Sequence, residues 1–193
     1  SLIIEVLHGQ HTDDPSYLLA LDKKTGKEIW RQERPTDALH ESPDSYSTPT
    51  LLEHDGAHQI VVNGGDYVTG HSPDTGAELW RSGGLNPDKS RNYRIIASPA
   101  VGAGMIFAPT RKNPLLAIRA GGSGDITDSH IEWKWEQAGS PDVPTPICDG
   151  KYFYMLDDFG QVTCLDPKSG KALWGPIETG IGRVSASPIL HDG

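Results

Sequence analysis

Short apolar runs alternate with polar, glycine-bearing turns along the whole chain. One phrase closes unit after unit: LLALDKKTGKEIW at 18–30, VTGHSPDTGAELW at 68–80 and VTCLDPKSGKALW at 162–174, with a divergent copy, LLAIRAGGSGDITDSHIEW, at 115–133. A second phrase stands ahead of the later copies and returns after the last: STPTLLEHDG at 47–56, ASPAVGAG at 97–104, PTPICDG at 144–150 and ASPILHDG at 186–193. This order predicts four short antiparallel strands per unit, lettered A to D. In the last complete unit, A is 143–148, B 151–156, C 161–166 and D 171–174. The period of roughly 40 to 55 residues is that of a four-stranded blade.

Each turn has a local reason. Asp149-Gly150 reads as a two-residue turn in which positive φ is cheap, folding A onto B. In the C–D turn, Asp22, Asp74 and Asp166 are expected to accept backbone N–H groups two or three residues on. Gly26, Gly76 and Gly170 supply the open backbone position. The tryptophan ending each unit (Trp30, Trp80, Trp133 or Trp135, Trp174) sits on the outer strand, large enough to pack on the neighbouring blade, where its N–H wants a carbonyl. The prolines of strand A (Pro49, Pro99, Pro146, Pro188) lack an N–H, which the free inner edge of that strand tolerates.

The expected fold is therefore an all-β β-propeller of four-stranded antiparallel blades. About four are present: strands B–D of a first blade at 1–30, then blades at 45–81, 94–135 and 143–175, and a lone strand A at 184–193. A sandwich rarely repeats Asp-x-x-x-Gly-x-x-x-Trp at this spacing, and the Pro and Gly positions exclude a helical repeat. Two closures fit. The last strand could complete the first blade in a ring of four, or the chain could be part of a six- to eight-bladed ring, the favoured expectation because the pattern calls for a B strand next. The chain is also expected to begin inside a longer polypeptide, since it has neither an initiator Met nor the marks of a signal peptide.

Composition narrows the partners. Lys and Arg number 17 against 26 Asp and Glu, and the net charge of −9 disfavours nucleic acid. No window is apolar enough to span a membrane. Counting outward from the turns puts Cys148 opposite Lys151 and Cys164 opposite Phe153, a strand apart, so both are expected to be free thiols.

The phrase Ala20-Leu21-Asp22-Lys23-Lys24-Thr25-Gly26-Lys27-Glu28-Ile29-Trp30 resembles the pyrroloquinoline-quinone-repeat propellers, and the resemblance covers essentially the whole chain. It implies one of two things. Quinoprotein alcohol dehydrogenases of this type hold the quinone and Ca²⁺ at the ring centre, whereas BamB-like members are cofactor-free scaffolds. The dehydrogenases carry an adjacent Cys-Cys pair that this sequence lacks. The resemblance therefore implies a scaffold without a cofactor, periplasmic or secreted. The alternative is a quinone- and calcium-dependent alcohol or sugar oxidoreductase, or a fragment of one.

A–B and C–D turns are expected on one rim, with the insertion Ala120–His130 as a flexible Gly-rich loop. B–C and D–A loops fall on the other rim and are long and polar, which is where binding residues usually sit. The candidates there are His40, Glu41, Tyr46, Arg91, Arg94, Arg111 and Asn113, with His8, His11, Asp13, Asp14, Asp44, Tyr93 and Lys112 around them. Arg94 and Arg111 are suited to clamp a carboxylate. Neither a catalytic constellation nor a metal site is expected, because adjacent acidic pairs diverge and no nucleophile elbow or phosphate loop occurs. The expected partner is a protein or a small polar ligand on this rim. Further blades or a second copy could complete the ring.

Overall fold

The computed structural model describes residues 1–191. Among them the chain forms four sheets in sequence order. The first holds β1 (Leu2–Val6), β2 (Tyr17–Leu21) and β3 (Glu28–Glu33). The second holds β4 (Thr50–His54), β5 (Ala57–Gly64), β6 (Tyr67–His71) and β7 (Glu78–Ser82). The third holds β8 (Ala100–Gly102), β9 (Met105–Ala108), β10 (Leu115–Arg119) and β12 (Ile131–Trp135). The fourth holds β13 (Ile147–Cys148), β14 (Phe153–Leu156), β15 (Gln161–Leu165) and β16 (Ala172–Glu178). Within each sheet these strands pair antiparallel with their sequence neighbours, as propeller-like blades do. The first and fourth sheets do not pair with each other, so the described residues do not close a ring.

Period-two alternation sends side chains to both faces of each blade. In the third sheet Ile106, Ala108, Leu116 and Ile118 pack with Val61, Val68 and Trp80 of the second. Their neighbours Met105, Phe107, Leu115 and Ala117 pack with Phe153, Met155 and Leu165 of the fourth. A smaller core of Leu7, Leu18, Ile60 and Val62 joins the first sheet to the second. Each Val, Leu, Ile, Phe or Met among them contributes about 1.5–3 kcal/mol over leaving it in water.

The tryptophans join these interfaces. The Trp30 indole donates to the Pro73 carbonyl at 3.2 Å and covers Gly76, where a Cβ would come within 2.6 Å of the ring. Trp133 repeats this two interfaces further on, between the third and fourth sheets, donating to Pro167 O at 3.0 Å and covering Gly170. Trp80 differs. Its N–H donates to Gln59 Oε1 at 2.7 Å and its ring lies on Gly70, both in its own sheet. Trp174 is 43% exposed.

Several local expectations need correction. Asp22 and Asp166 accept the predicted turn bonds, but Asp74 does not: Ser72 stands at the equivalent position, and the Asp74 N–H donates weakly to its hydroxyl. Asp149-Gly150 is not a two-residue turn. Asp149 Oδ1 accepts the N–H groups of Lys151 and Tyr152, so the loop runs two residues longer and Cys148 pairs with Phe153. Cys164 pairs with Tyr154, and both thiols are free. Tight two-residue turns with positive φ do occur at Asp55-Gly56 and Ala103-Gly104. The insertion is ordered rather than a loose loop. Its β11 (Gly124–Asp125) adds a parallel fifth strand beside β7, and α1 (Thr127–His130) follows. Ile126 is buried, its N–H donates to Arg81 O, and Thr127 Oγ1 accepts from Gly83. Residues 184–191 form no strand, and 192–193 of the expected lone strand lie outside the described residues.

Pro49, Pro99 and Pro146 of the second phrase stand just ahead of the ladders, while no strand follows Pro188 among the described residues. The hydroxyl residue before each one links the blades. Thr48 N–H donates to Ser98 Oγ at 2.8 Å, Ser98 N–H to Thr145 Oγ1 at 3.0 Å, and Thr145 N–H to Ser187 Oγ at 2.9 Å. One backbone donor per unit is thereby satisfied by the next unit.

Candidate functional site

The D–A loops run side by side and bond to one another. Ser42 Oγ donates to Ser90 O and accepts from Tyr93 N–H, Glu41 N–H donates to Arg91 O, and Tyr46 N–H donates to Ile95 O. The next loop joins through Ala97 N–H to Asp142 O. This zipper carries Arg94 and Asp142 towards each other. Arg94 Nε lies 3.5 Å from Glu41 Oε1, with both side chains about three-quarters buried.

Asp158 fixes the other wall. Its two carboxylate oxygens accept the N–H groups of Asp142 at 2.7 Å and Val143 at 3.2 Å. Its carbonyl accepts from Val184, which brings the neighbouring Arg183 over the Phe159 ring at 5.5 Å. A cavity of about 410 Å³ results, lined by Arg111, Ser140, Asp142, Asp158, Phe159 and Arg183. Asp142 Oδ1, Ser140 Oγ and Arg94 Nη1 are buried atoms without a hydrogen-bond partner among the described residues. Burial pushes the Asp142 carboxyl up, Asp158 adds to this, and Arg94 and Arg111 oppose it. A carboxylate in such surroundings gains most from a cationic or N–H donor. The guanidiniums of Arg111 and Arg183 offer the complementary fork to an anionic oxygen.

Arg111 also walls a second cleft of about 330 Å³, shared with Tyr93, Lys112 and Asn113. There its guanidinium donates to Asn92 O, Tyr93 OH donates to Asn113 O, and Asn113 Nδ2 donates to Glu136 O. A third cleft, about 400 Å³, holds His8, Asp13, Asp14 and His40. Among the described residues no three His, Cys, Asp or Glu side chains converge as metal ligands.

Below that third cleft lies a buried polar network. Arg34 Nε donates to Thr69 Oγ1 at 2.8 Å, and Arg34 Nη2 donates to Tyr67 O at 2.9 Å. His71 sits between Gly76 O on Nδ1 and Thr69 Oγ1 on Nε2. A carbonyl can only accept, so Nδ1 carries the proton and Nε2 accepts from Thr69. Burial pulls His71 down to about 4 and Arg34 to about 10. Burial likewise raises Glu5 to about 7, against the Ser47 hydroxyl and Arg34. These groups bind the first sheet to the second; Glu5 Oε1 accepts from Ser47 Oγ, while Glu5 Oε2 is buried without a hydrogen-bond partner among the described residues.

A family model described as outer membrane protein assembly factor BamB matches residues 10–176. The chain belongs to this family. Two solved structures resemble this BamB-like chain. BamB from Moraxella catarrhalis aligns with 88% of it at 17% identity and a TM-score of 0.53, using 51% of that structure. A europium-containing methanol dehydrogenase aligns with 89% of it at 15% identity and a TM-score of 0.55, using 39%. The BamB-like chain thus spans about half, or less, of the length of these structures, and identities this low speak for the fold alone. No curated protein matches it.

Of the residues singled out in the sequence, the structure brings Glu41 to Arg94, and Arg94 and Arg111 to Asp142. His40 and Arg91 are exposed and apart from this group, Tyr46 is exposed beside its zipper bond, and Asn113 lies on the far side of Arg111. Ser140, Asp142, Asp158, Phe159 and Arg183 were not among the candidates. Asp142 had a usable signal: it falls just before the Thr-Pro of its strand A, close to where Arg94 stands in the preceding unit. Arg94 and Arg183 are true repeats, each five residues before the proline.

Proposed function

We propose that this chain is a non-catalytic binding scaffold. In this reading it forms an arc of a six- to eight-bladed propeller and works in the periplasm or outside the cell. Its ligand is a protein segment or small polar molecule held in the rim cleft between the third and fourth sheets. The observation that carries the reading is the pairing in one cleft of partnerless buried acceptors, Asp142 Oδ1 and Ser140 Oγ, with two guanidiniums, Arg111 and Arg183. That chemistry fits a ligand with both an N–H or ammonium donor and a carboxylate. Family membership supports the scaffold and its location, since the matching model is named for an outer membrane assembly factor.

The residues present do not fit a calcium–quinone group. Among the described residues no three His, Cys, Asp or Glu side chains converge, and the two thiols lie on different strands, β13 and β15. Among the described residues no helix is long and apolar enough to cross a membrane.

Titration with trialanine, which carries both termini, tests the cleft. Binding followed by calorimetry should weaken at least about tenfold in Arg111→Ala and in Asp142→Asn. Equal binding by both variants and the parent would overturn the cleft assignment. A bound chromophore after incubation with pyrroloquinoline quinone and calcium would overturn the cofactor-free reading.

A further inference from the structure

Among the described residues, the outer strands β3, β12 and β16 each end their sheets, whereas β7 is flanked by β11, a strand lent by the third sheet. This strap pairs parallel, with Gly124 opposite Trp80 and Asp125 opposite Arg81, while the second sheet's own strands pair antiparallel. The β7 edge is shaped for close approach. After Trp30-Arg31 the first sheet carries Gln32-Glu33; after Trp80-Arg81 the second carries Ser82-Gly83. A Cβ on Gly83 would stand 3.5 Å from Thr127 Oγ1, so a glutamate there would meet the strap. Glu78 and Arg81 pair with each other at 2.6 Å, and Arg81 lies over the Tyr67 ring at 4.7 Å. The charges that usually blunt a sheet edge are thus turned onto their own sheet.

The strap is an imperfect occupant of this edge. Ile126 N–H donates to Arg81 O at 2.8 Å, and the Ile126 side chain is buried in one core cluster with Trp80, Leu85 and Leu116. A regular parallel strand would next offer the Ile126 carbonyl to Gly83 N–H. That carbonyl accepts instead from Ser129 and His130 N–H of α1, and the Thr127 hydroxyl takes its place on Gly83 N–H at 2.8 Å. Ahead of Ile126 the strap is exposed from Gly122 to Asp125 and turns through positive φ at Gly121, Gly122 and Gly124. One buried side chain and a short ladder hold it, which places it at the low-stability end of the fold.

We propose that the β7 edge from Trp80 to Gly83 is a docking site for an extended segment of a partner protein, and that the strap closes this site in the resting chain. The partner adds a parallel strand in the strap's place. It carries a branched apolar side chain for the Ile126 seat, short residues opposite Trp80 and Arg81, and a free backbone carbonyl for Gly83 N–H. The chain's own occupant defines the first two requirements, and a continuous strand supplies the carbonyl that the strap withholds. None of the rim-cleft residues takes part, so docking and ligand binding stand or fall separately.

A capped fluorescent peptide with the sequence of residues 122–127 followed by Val-Thr tests docking by anisotropy. One receptor is the full chain with a short Gly-Ser turn in place of residues 121–129. A second is Ile126→Gly, which empties the seat and keeps the strap. Both should bind the peptide more tightly than the intact chain, the first at least about tenfold, because the tethered strap no longer competes. Aspartate in place of the peptide's isoleucine should weaken binding at least about tenfold. Gly83→Pro in the first receptor removes the N–H and should do the same. Circular dichroism checks that the receptors are folded. In the intact chain, hydrogen exchange should release the Gly83 and Ile126 amides before that of Thr69 in β6. No binding by either folded receptor, binding indifferent to the isoleucine, or a Gly83 amide that exchanges only together with Thr69 overturns the inference.

Discussion

Trp133 and Trp174 close equivalent strands of the third and fourth sheets, and they differ in what stands beyond them. Past Trp133 lies the fourth sheet, and the ring joins an aromatic cluster with Phe107 and Phe153. Past Trp174 the described chain offers only its own Tyr154, at 6.0 Å. The same residue on the equivalent outer strand is thus packed between sheets in one place and set at the surface in the other. The local phrase specifies the blade, and burial depends on the neighbour.

Truncation should sharpen this contrast most. Phe107 stacks on Phe153 at 4.0 Å between the third and fourth sheets. Phe107→Ala should cost about 3–5 kcal/mol. Trp174→Ala in dilute, monomeric chain should cost less than about 1 kcal/mol. Urea denaturation measures both, and equal losses would break the comparison.

The interface between the first and second sheets is also internal, but its polar content gives it a pH response. The folded pKa of Glu5, about 7, lies above its ordinary 4.5, so its contribution is intact below about pH 4.5 and lost as pH rises through 7. The folded pKa of His71, about 4, lies below 6.5, so its contribution is intact above pH 6.5 and lost as pH falls through 4. Glu5→Gln should therefore gain about 2–3 kcal/mol on the parent between pH 4.5 and pH 8. Urea midpoints at the two pH values give this directly, and a pH-independent difference would mean that Glu5 is solvated.

The smallest effect concerns the hydroxyl chain. Ser98 is an internal link, accepting from Thr48 N–H while its own N–H donates onward. Ser98→Ala should cost about 1 kcal/mol, and Ser187→Ala, at the exposed end, less than about 0.5 kcal/mol. Thermal denaturation with matched controls resolves the two.

The blades were legible in the sequence because their signals are local. An Asp or Ser three residues before Thr or Ser and four before Gly builds the same turn wherever it occurs, and the indole follows four residues later. The insertion was not legible in this way. Gly121-Gly122-Ser123-Gly124 has the composition of a loose linker, and only the seat for Ile126 against the second sheet orders it, which is a tertiary fact. The A–B turn at Asp149 misled because an aspartate before glycine suits both a two-residue turn and a longer one capped by its own carboxylate. In the cleft, Arg94 and Arg111 could be found from their place on long loops. Asp158 read as part of a turn, and nothing in the chain order shows that its carboxylate reaches back to the Asp142 and Val143 amides.

The hydroxyl chain along the inner ends of the sheets has an evolutionary consequence. Each unit carries the acceptor that its predecessor requires and the donor that its successor will satisfy. A gene segment encoding one unit can therefore be duplicated or deleted whole without leaving a mismatched junction at the axis. Lineages built this way can change their number of units by copying, while the exposed loops diverge independently.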